Sequence, residues 1–221
     1  MRLNKYIALH TSNSRRGADA LVAENRVLVN GLPAKLGLEI KDGDIVTIDN
    51  KEIAAQDQPK ITTLMINKPR GYVCSREGQS NRTIYELLPA TFAHLNSVGR
   101  LDKDSSGLLL LTNDGELANR LAHPRYEKVK VYDIELDKPL LPLHQQMISG
   151  RGLDLEDGAS RLQVDKLNDQ AKQLRITMRE GRNRQIRRTF EAVGYKVLTL
   201  HRIAFGEYKL DDLLEGKTKK I

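Results

Sequence analysis

Four charged side chains stand together in the glycine-bounded segment Gly99–Gly107: Arg100, Asp102, Lys103 and Asp104. Paired carboxylates can do acid–base work or hold a metal, and a lone ionised aspartate can attack a carbon or take a proton. The segment runs directly into the apolar residues Leu108–Leu111, so it reads as a polar loop at the mouth of a buried strand. Composition alone favours an ordinary turn here, with Asp104 or Ser105 capping local amides.

A second cluster is basic. Arg179, Arg182, Arg184, Arg187 and Arg188 lie close together with one acid, Glu180, among them. Gly181 offers a turn before a helix, and spacings of three and four would put Arg184, Arg187 and Arg188 on one helical face. The start of that helix could itself hold an anion. So many cations with so few acidic neighbours point to phosphate. The N-terminal part adds Arg2, Lys5, Arg15, Arg16 and Arg26, ahead of the acids Asp42, Asp44 and Asp49. A one-sided basic surface is the footprint of an RNA module, although a small mixed-charge domain fits as well. The net charge of +7 suits a polyanionic partner.

Other chemistries find little support. The single cysteine, Cys74, allows neither an internal disulfide nor a cysteine-rich zinc site. The five histidines are scattered, and none makes a metal-binding pair, so no metal is expected. Gly216-Lys-Thr218 echoes the end of a phosphate loop, but Asp211 stands where the first glycine is needed. Gly150-Arg-Gly152 lacks the third glycine of a dinucleotide fingerprint, and no nucleophile elbow occurs. No apolar run approaches the roughly 20 residues of a membrane span, and the N-terminus lacks the apolar core of a secretory signal. The expectation is a cytoplasmic chain without a membrane partner.

These residues need elements to position them. The polar stretch 50–60 reads as a linker, dividing the chain into domains at 1–58 and 61–221. In the first, Leu3, Ile7 and Ala8 share a helical face, Ser14 caps a helix running to Glu24, and Asn30-Gly31 turns a hairpin out of Val27–Val29. Ile45–Ile48 closes the unit as a strand. In the second, strands are expected at Leu64–Ile66, Leu108–Thr112, around Val129–Leu136, at Gln173–Met178 and at Tyr195–Leu200. Capping boxes at Thr83–Glu86 and Asn113–Glu116 open helices, and a helix spans Asn183–Val193, ended by Gly194. Strands and helices do not alternate regularly. The fold class is therefore α+β, with a largely antiparallel mixed sheet flanked by helices.

Taken in order, these segments resemble one family. Gly99–Gly115 is similar to the catalytic signature of the RsuA-type ribosomal RNA pseudouridine synthases. Asn67-Lys-Pro-Arg-Gly71, Lys130-Val-Tyr132, and Glu180–Arg188 with Leu200-His-Arg202 resemble that family's other motifs in order and spacing. Arg2–Ile7, Ser14-Arg-Arg16 and Val29-Asn-Gly31 look like an S4-type RNA-binding domain. The resemblance covers essentially the whole chain. It implies that Asp102 is the essential aspartate, Tyr132 the active-site tyrosine against the base, and Arg187 the basic partner that keeps Asp102 charged. Arg100 would displace the target base or fill its place, and Leu200 would pack on the uracil. Arg182, Arg184 and Arg188, with Lys68 and, in the N-terminal domain, Lys5, Arg15 and Arg16, would bind RNA.

The resemblance also implies a cofactor-free isomerisation of a uridine in ribosomal RNA, free or in an assembly intermediate, with no DNA partner. A monomer is expected because no exposed apolar stripe stands out in the sequence. Three alternatives stay open on the residues alone. They are a non-enzymatic RNA-binding protein of the same fold, a metal-dependent phosphodiesterase using Asp102 and Asp104, and a synthase acting on transfer RNA.

Overall fold

The computed structural model describes residues 1–11, 13–53 and 60–221. The chain divides into two compact units, Met1–Ile61 and Thr62–Ile221. In the first, α1 (Leu3–His10) and α2 (Arg15–Ala23) precede the strands β1 (Val27–Val29), β2 (Leu32–Pro33), β3 (Val46–Ile48) and β4 (Lys51–Glu52). The Ser14 hydroxyl accepts from the Gly17 amide at 3.0 Å, capping α2 as the sequence predicts. Asn30 and Gly31 both take positive φ, the conformation a two-residue hairpin demands. Leu3, Ile7, Ala18, Val27 and Val46 form the centre of this unit's core.

The stretch expected to be a linker begins as structure. Asp49 and Asn50 are both left-handed and turn β3 tightly into β4, paired Ile48 to Lys51. The rest of that expectation, residues 54–59, lies outside the described residues.

The second unit contains β5 (Thr63–Lys68), β6 (Asn96–Val98), β7 (Ser106–Thr112), α3 (Gly115–Ala122), β8 (Lys130–Leu136) and α4 (Pro142–Ser149). After these come β9 (Leu153–Leu155), β10 (Gly158–Ser160), β11 (Gln163–Lys166), β12 (Gln173–Met178), α5 (Gln185–Glu191), β13 (Val197–Phe205), β14 (Tyr208–Lys209) and β15 (Thr218–Lys220). The main sheet has the order β11-β12-β8-β13-β7-β5-β15, with β14 on β13 and β6 on β7. Every pairing in it is antiparallel except β13 against β7. This is the expected α+β arrangement.

β7 is buried on both faces. Leu109 and Leu111 belong to the larger core with Ile66 and Ile134; Leu108 and Leu110 pack on the other side with Leu121 and Phe205. A four-leucine run is what a strand in that central position requires. β8 alternates instead, burying Tyr132, Ile134 and Leu136.

Three local expectations change. The cap of α3 is Asp114, whose carboxylate accepts from the Glu116 and Leu117 amides; Asn113 instead accepts from the Thr62 amide at 2.7 Å. The helix expected from Asn183 starts only at Gln185, because Arg184 is left-handed at φ 48°. The last long strand runs on to Phe205, so His201 and Arg202 lie inside the sheet. The helix α4 and the hairpin β9–β10 were not anticipated. Among the described residues, no helix is long and apolar enough to cross a membrane.

Candidate active site

The loop bearing Asp102 connects β6 to β7, and a buried ammonium holds it. Lys68, at the end of β5, has no exposed surface. Its Nζ donates to the carbonyls of Ser105 at 2.7 Å, Pro69 at 3.0 Å and Asp102 at 3.1 Å. Burial pushes its pKa below the ordinary lysine value. The expectation that Lys68 contacts RNA is thereby corrected: its ammonium is taken up by backbone carbonyls, two of them in the loop, and solvent does not reach it. Cys74 Sγ lies 3.3 Å from both the amide and the carbonyl of Leu101, and the Gly71 amide donates to Lys103. The loop is tied from below, and the Asp102 carboxylate is left partly exposed above it.

Asp102 opens onto a cavity of about 580 Å³. Tyr132 from β8 and Leu200 from β13 line its wall, each 7% exposed, and Arg100 lies at its edge. The sheet therefore brings together Asp102, Tyr132, Leu200 and Arg100, which the sequence spreads over a hundred positions. The volume is within the range of small-ligand sites.

The arginine cluster is not one helical face. Arg184, left-handed just before α5, places Nη1 3.8 Å from Asp102 Oδ2. Arg187, expected to be the partner of Asp102, donates to the carbonyls of Val197 at 2.6 Å and Asp104 at 3.2 Å. Burial, and then the nearby Arg184, depress the pKa of Arg187, while the charges of Asp102 and Asp104 oppose the shift. The contact to Asp102 thus comes from Arg184, with Arg187 behind it bracing the loop.

Arg182 and Arg188, expected to hold phosphate, converge on Asp157 in the β9–β10 turn. Arg182 Nη1 is 2.9 Å from Asp157 Oδ1, and Arg188 Nη2 is 2.7 Å from Oδ2. Arg182 also donates to the carbonyls of Gly158 and Ala159. The Arg188 hydrogen bond, foremost, holds the Asp157 carboxyl below its ordinary range. These arginines looked uncompensated because their acid lies 25 residues upstream of Arg182 and 31 upstream of Arg188. Lys5, Arg15 and Arg16 belong to the other unit, where Arg15 and Arg16 begin α2 with exposed side chains. Arg26 there is taken up by Asp49 at 2.6 Å and Glu24 at 3.1 Å.

Among the described residues, no three carboxylate, histidine or cysteine side chains are grouped as a metal site.

The RNA pseudouridylate synthase family model matches residues 62–192. The chain belongs to that family. An S4 domain matches residues 1–46. A protein of Aquifex aeolicus described as an uncharacterized RNA pseudouridine synthase is 37% identical, across 100% of this chain and 90% of its own length. The ribosomal large subunit pseudouridine synthase B of Bacillus subtilis is 34% identical over 100% and 91%. The ribosomal small subunit pseudouridine synthase A of Pasteurella multocida is 34% identical over 100% and 96%. Among solved structures, a pseudouridylate synthase superposes with a TM-score of 0.71 at 30% identity, covering 100% of this chain and 96% of the other.

This pseudouridine synthase holds two site features that the sequence reading passed over. Arg184 appeared only as one of several phosphate binders. Arg202 and Lys130 appeared only as letters of motifs, yet both line the cavity. The signal for Arg202 was its place two residues after Leu200 in a strand, which puts both side chains on one face.

Proposed function

We propose that this enzyme converts a specific uridine of ribosomal RNA to pseudouridine, using Asp102 and no cofactor, after flipping the nucleotide out of its stack. The similar synthases B and A are named for the ribosomal large and small subunits, which supports ribosomal RNA as the substrate. The observation that carries the reading is the Asp102 carboxylate on a cavity walled by Tyr132 and Leu200.

The reaction breaks the N1–C1′ bond, turns the uracil and joins C5 to C1′. One proton leaves C5 and one arrives at N1, so atoms and electrons balance without oxidant or energy source. The target atoms are hidden in a stacked helix, and extrusion costs a few kcal/mol. Arg100, exposed at the cavity edge, is placed to fill the vacated space. Asp102 then acts on the sugar, as a nucleophile at C1′ or as a base at C2′. Arg184 faces its carboxylate, and Tyr132 lies where it can stack on the base and take part in removing the C5 proton. Lys5, Arg15 and Arg16 bind RNA in the domain assigned to residues 1–58, and the domain 61–221 performs the reaction. The protein works as a cytoplasmic monomer on free ribosomal RNA or on an assembly intermediate.

Asp102→Asn tests this. Turnover on ribosomal RNA transcripts should fall at least about 1,000-fold, with RNA affinity nearly unchanged. Pseudouridine formed by the variant at the wild-type rate would remove Asp102 from the mechanism.

A further inference from the structure

The inner part of the cavity holds the cations Arg202 and Lys130; the carboxylate of Glu180, which also lines the cavity, is bonded to Arg182 and Gln185. Arg202 is 2% exposed. Its Nε donates to the Leu108 carbonyl at 2.7 Å, and its Nη2 has no partner. The guanidinium carbon lies 4.8 Å from the Phe205 ring centre. Lys130 Nζ approaches the same ring at 5.3 Å and donates to the Lys128 carbonyl at 3.1 Å. Neither cation forms an ion pair among the described residues. Burial depresses the Lys130 pKa, Arg202 depresses it further, and the charge of Glu180 opposes the shift.

Leaving a guanidinium N–H buried and unpaired costs stability, and the bond to Leu108 and the contact with Phe205 do not satisfy it. Such a group fits a ligand oxygen that is absent when the site is empty. Strand register says which part of a nucleotide it would meet. Arg202 lies directly across from Tyr132, and Leu200 precedes it by two on the same strand face. The exposed cations Arg184 and Arg100 stand nearer the solvent, where phosphates of an entering strand would lie.

We propose that Arg202, supported by Lys130, donates to a carbonyl oxygen of the uracil in this cavity and stabilises the negative charge that gathers there as the N1–C1′ bond breaks. This rests on the functional reading above. As N1 loses its bond to the sugar, the pair of electrons left on uracil delocalises onto O2 and O4. A donor fixed in a dry site binds that charged oxygen more tightly than the neutral one, so the interaction accelerates the step. Arg202 touches the reacting base in this scheme, and Lys130 reinforces the field around it.

The test uses the full chain, with transcripts of large- and small-subunit ribosomal RNA tritiated at uridine C5. Single-turnover tritium release, RNA affinity and thermal melting are measured together. Arg202→Met should lower the single-turnover rate on the order of 100-fold to 1,000-fold with RNA affinity unchanged. Arg202→Lys should recover part of the loss. Lys130→Met, at a half-buried position, should lower the rate on the order of 10-fold, and it carries the test if Arg202→Met does not fold. Weakened RNA affinity at an unchanged rate, with a salt dependence shallower by about one ion, would assign these cations to a phosphate and overturn the proposal. Wild-type rates and affinity in folded variants would overturn it as well. If the wild-type chain itself releases no tritium from either transcript, the functional reading fails first.

Discussion

Arg184 and Arg187 stand three residues apart and do different work. Arg184 is exposed, left-handed and within 3.8 Å of the Asp102 carboxylate. Arg187 is half-buried and fastens two carbonyls, one of them in the Asp102 loop. Replacing Arg184 by Gln should cost turnover about 10-fold and leave melting nearly unchanged, because an exposed pair contributes little to stability. Arg187→Gln should cost both, with about 1–3 kcal/mol of stability lost as the Val197 and Asp104 carbonyls lose their charged donor. Parallel rate and melting measurements on the two variants decide this; equal melting losses would contradict the division of roles. Asp102 itself was legible from its loop and motif. Its partner was not, because a periodic reading assumes a helix, and the backbone at Arg184 is turned out of the helical region.

At the scale of elements, the contact that sets the site is the parallel pairing of β7 with β13. It places Gly107 against Arg202, and a Cβ on Gly107 would lie 2.3 Å from the Arg202 carbonyl oxygen. Gly107 also has φ +104°, a conformation in which a side chain is strained. The glycine that closes the Asp102 segment therefore lets the strand carrying Leu200 and Arg202 come close to the Asp102 loop. Gly107→Ala should destabilise by about 3 kcal/mol or more, lowering Tm by roughly 6–12 °C. A calorimetric melt matching wild type would show that the strands can part without penalty. The elements themselves were largely readable: the Ser14 cap, the box at Thr83 and Glu86, the Asn30-Gly31 turn, and the alternation of β8 are local signals. The hairpin β9–β10 gave none, since short strands with little burial carry no clear period.

Across the whole molecule, the net charge lies mostly in the second unit, because bases and acids nearly balance in the first. Arg182 and Arg188 are bound to Asp157, and Arg26 to Asp49 and Glu24, so much of the formal net charge of +7 sits apart from these pairs. Arg15 and Arg16, exposed at the start of α2, are the side chains on which RNA affinity should depend in the first unit. The double substitution of Arg15 and Arg16 by Ser should weaken RNA binding and reduce the slope of log K against log salt by up to about two ions. The melting temperature should stay within about 1 °C, since exposed substitutions change stability little. An unchanged slope would place the RNA contacts elsewhere.

The sequence by itself determined the kind of molecule: a basic chain with a glycine-bounded aspartate, ordered motifs on either side of it, and an N-terminal RNA-binding module. These are local signals, carried by neighbouring residue types and by turn and strand periods. Only the tertiary structure decided which cation meets Asp102, why Lys68 is spent on the loop, what occupies Arg182 and Arg188, and that Arg202 keeps a free donor in the cavity. Those outcomes depend on pairings between residues tens of positions apart. Sheet register and one left-handed turn set them, and neither leaves a trace in the spacing of residue types.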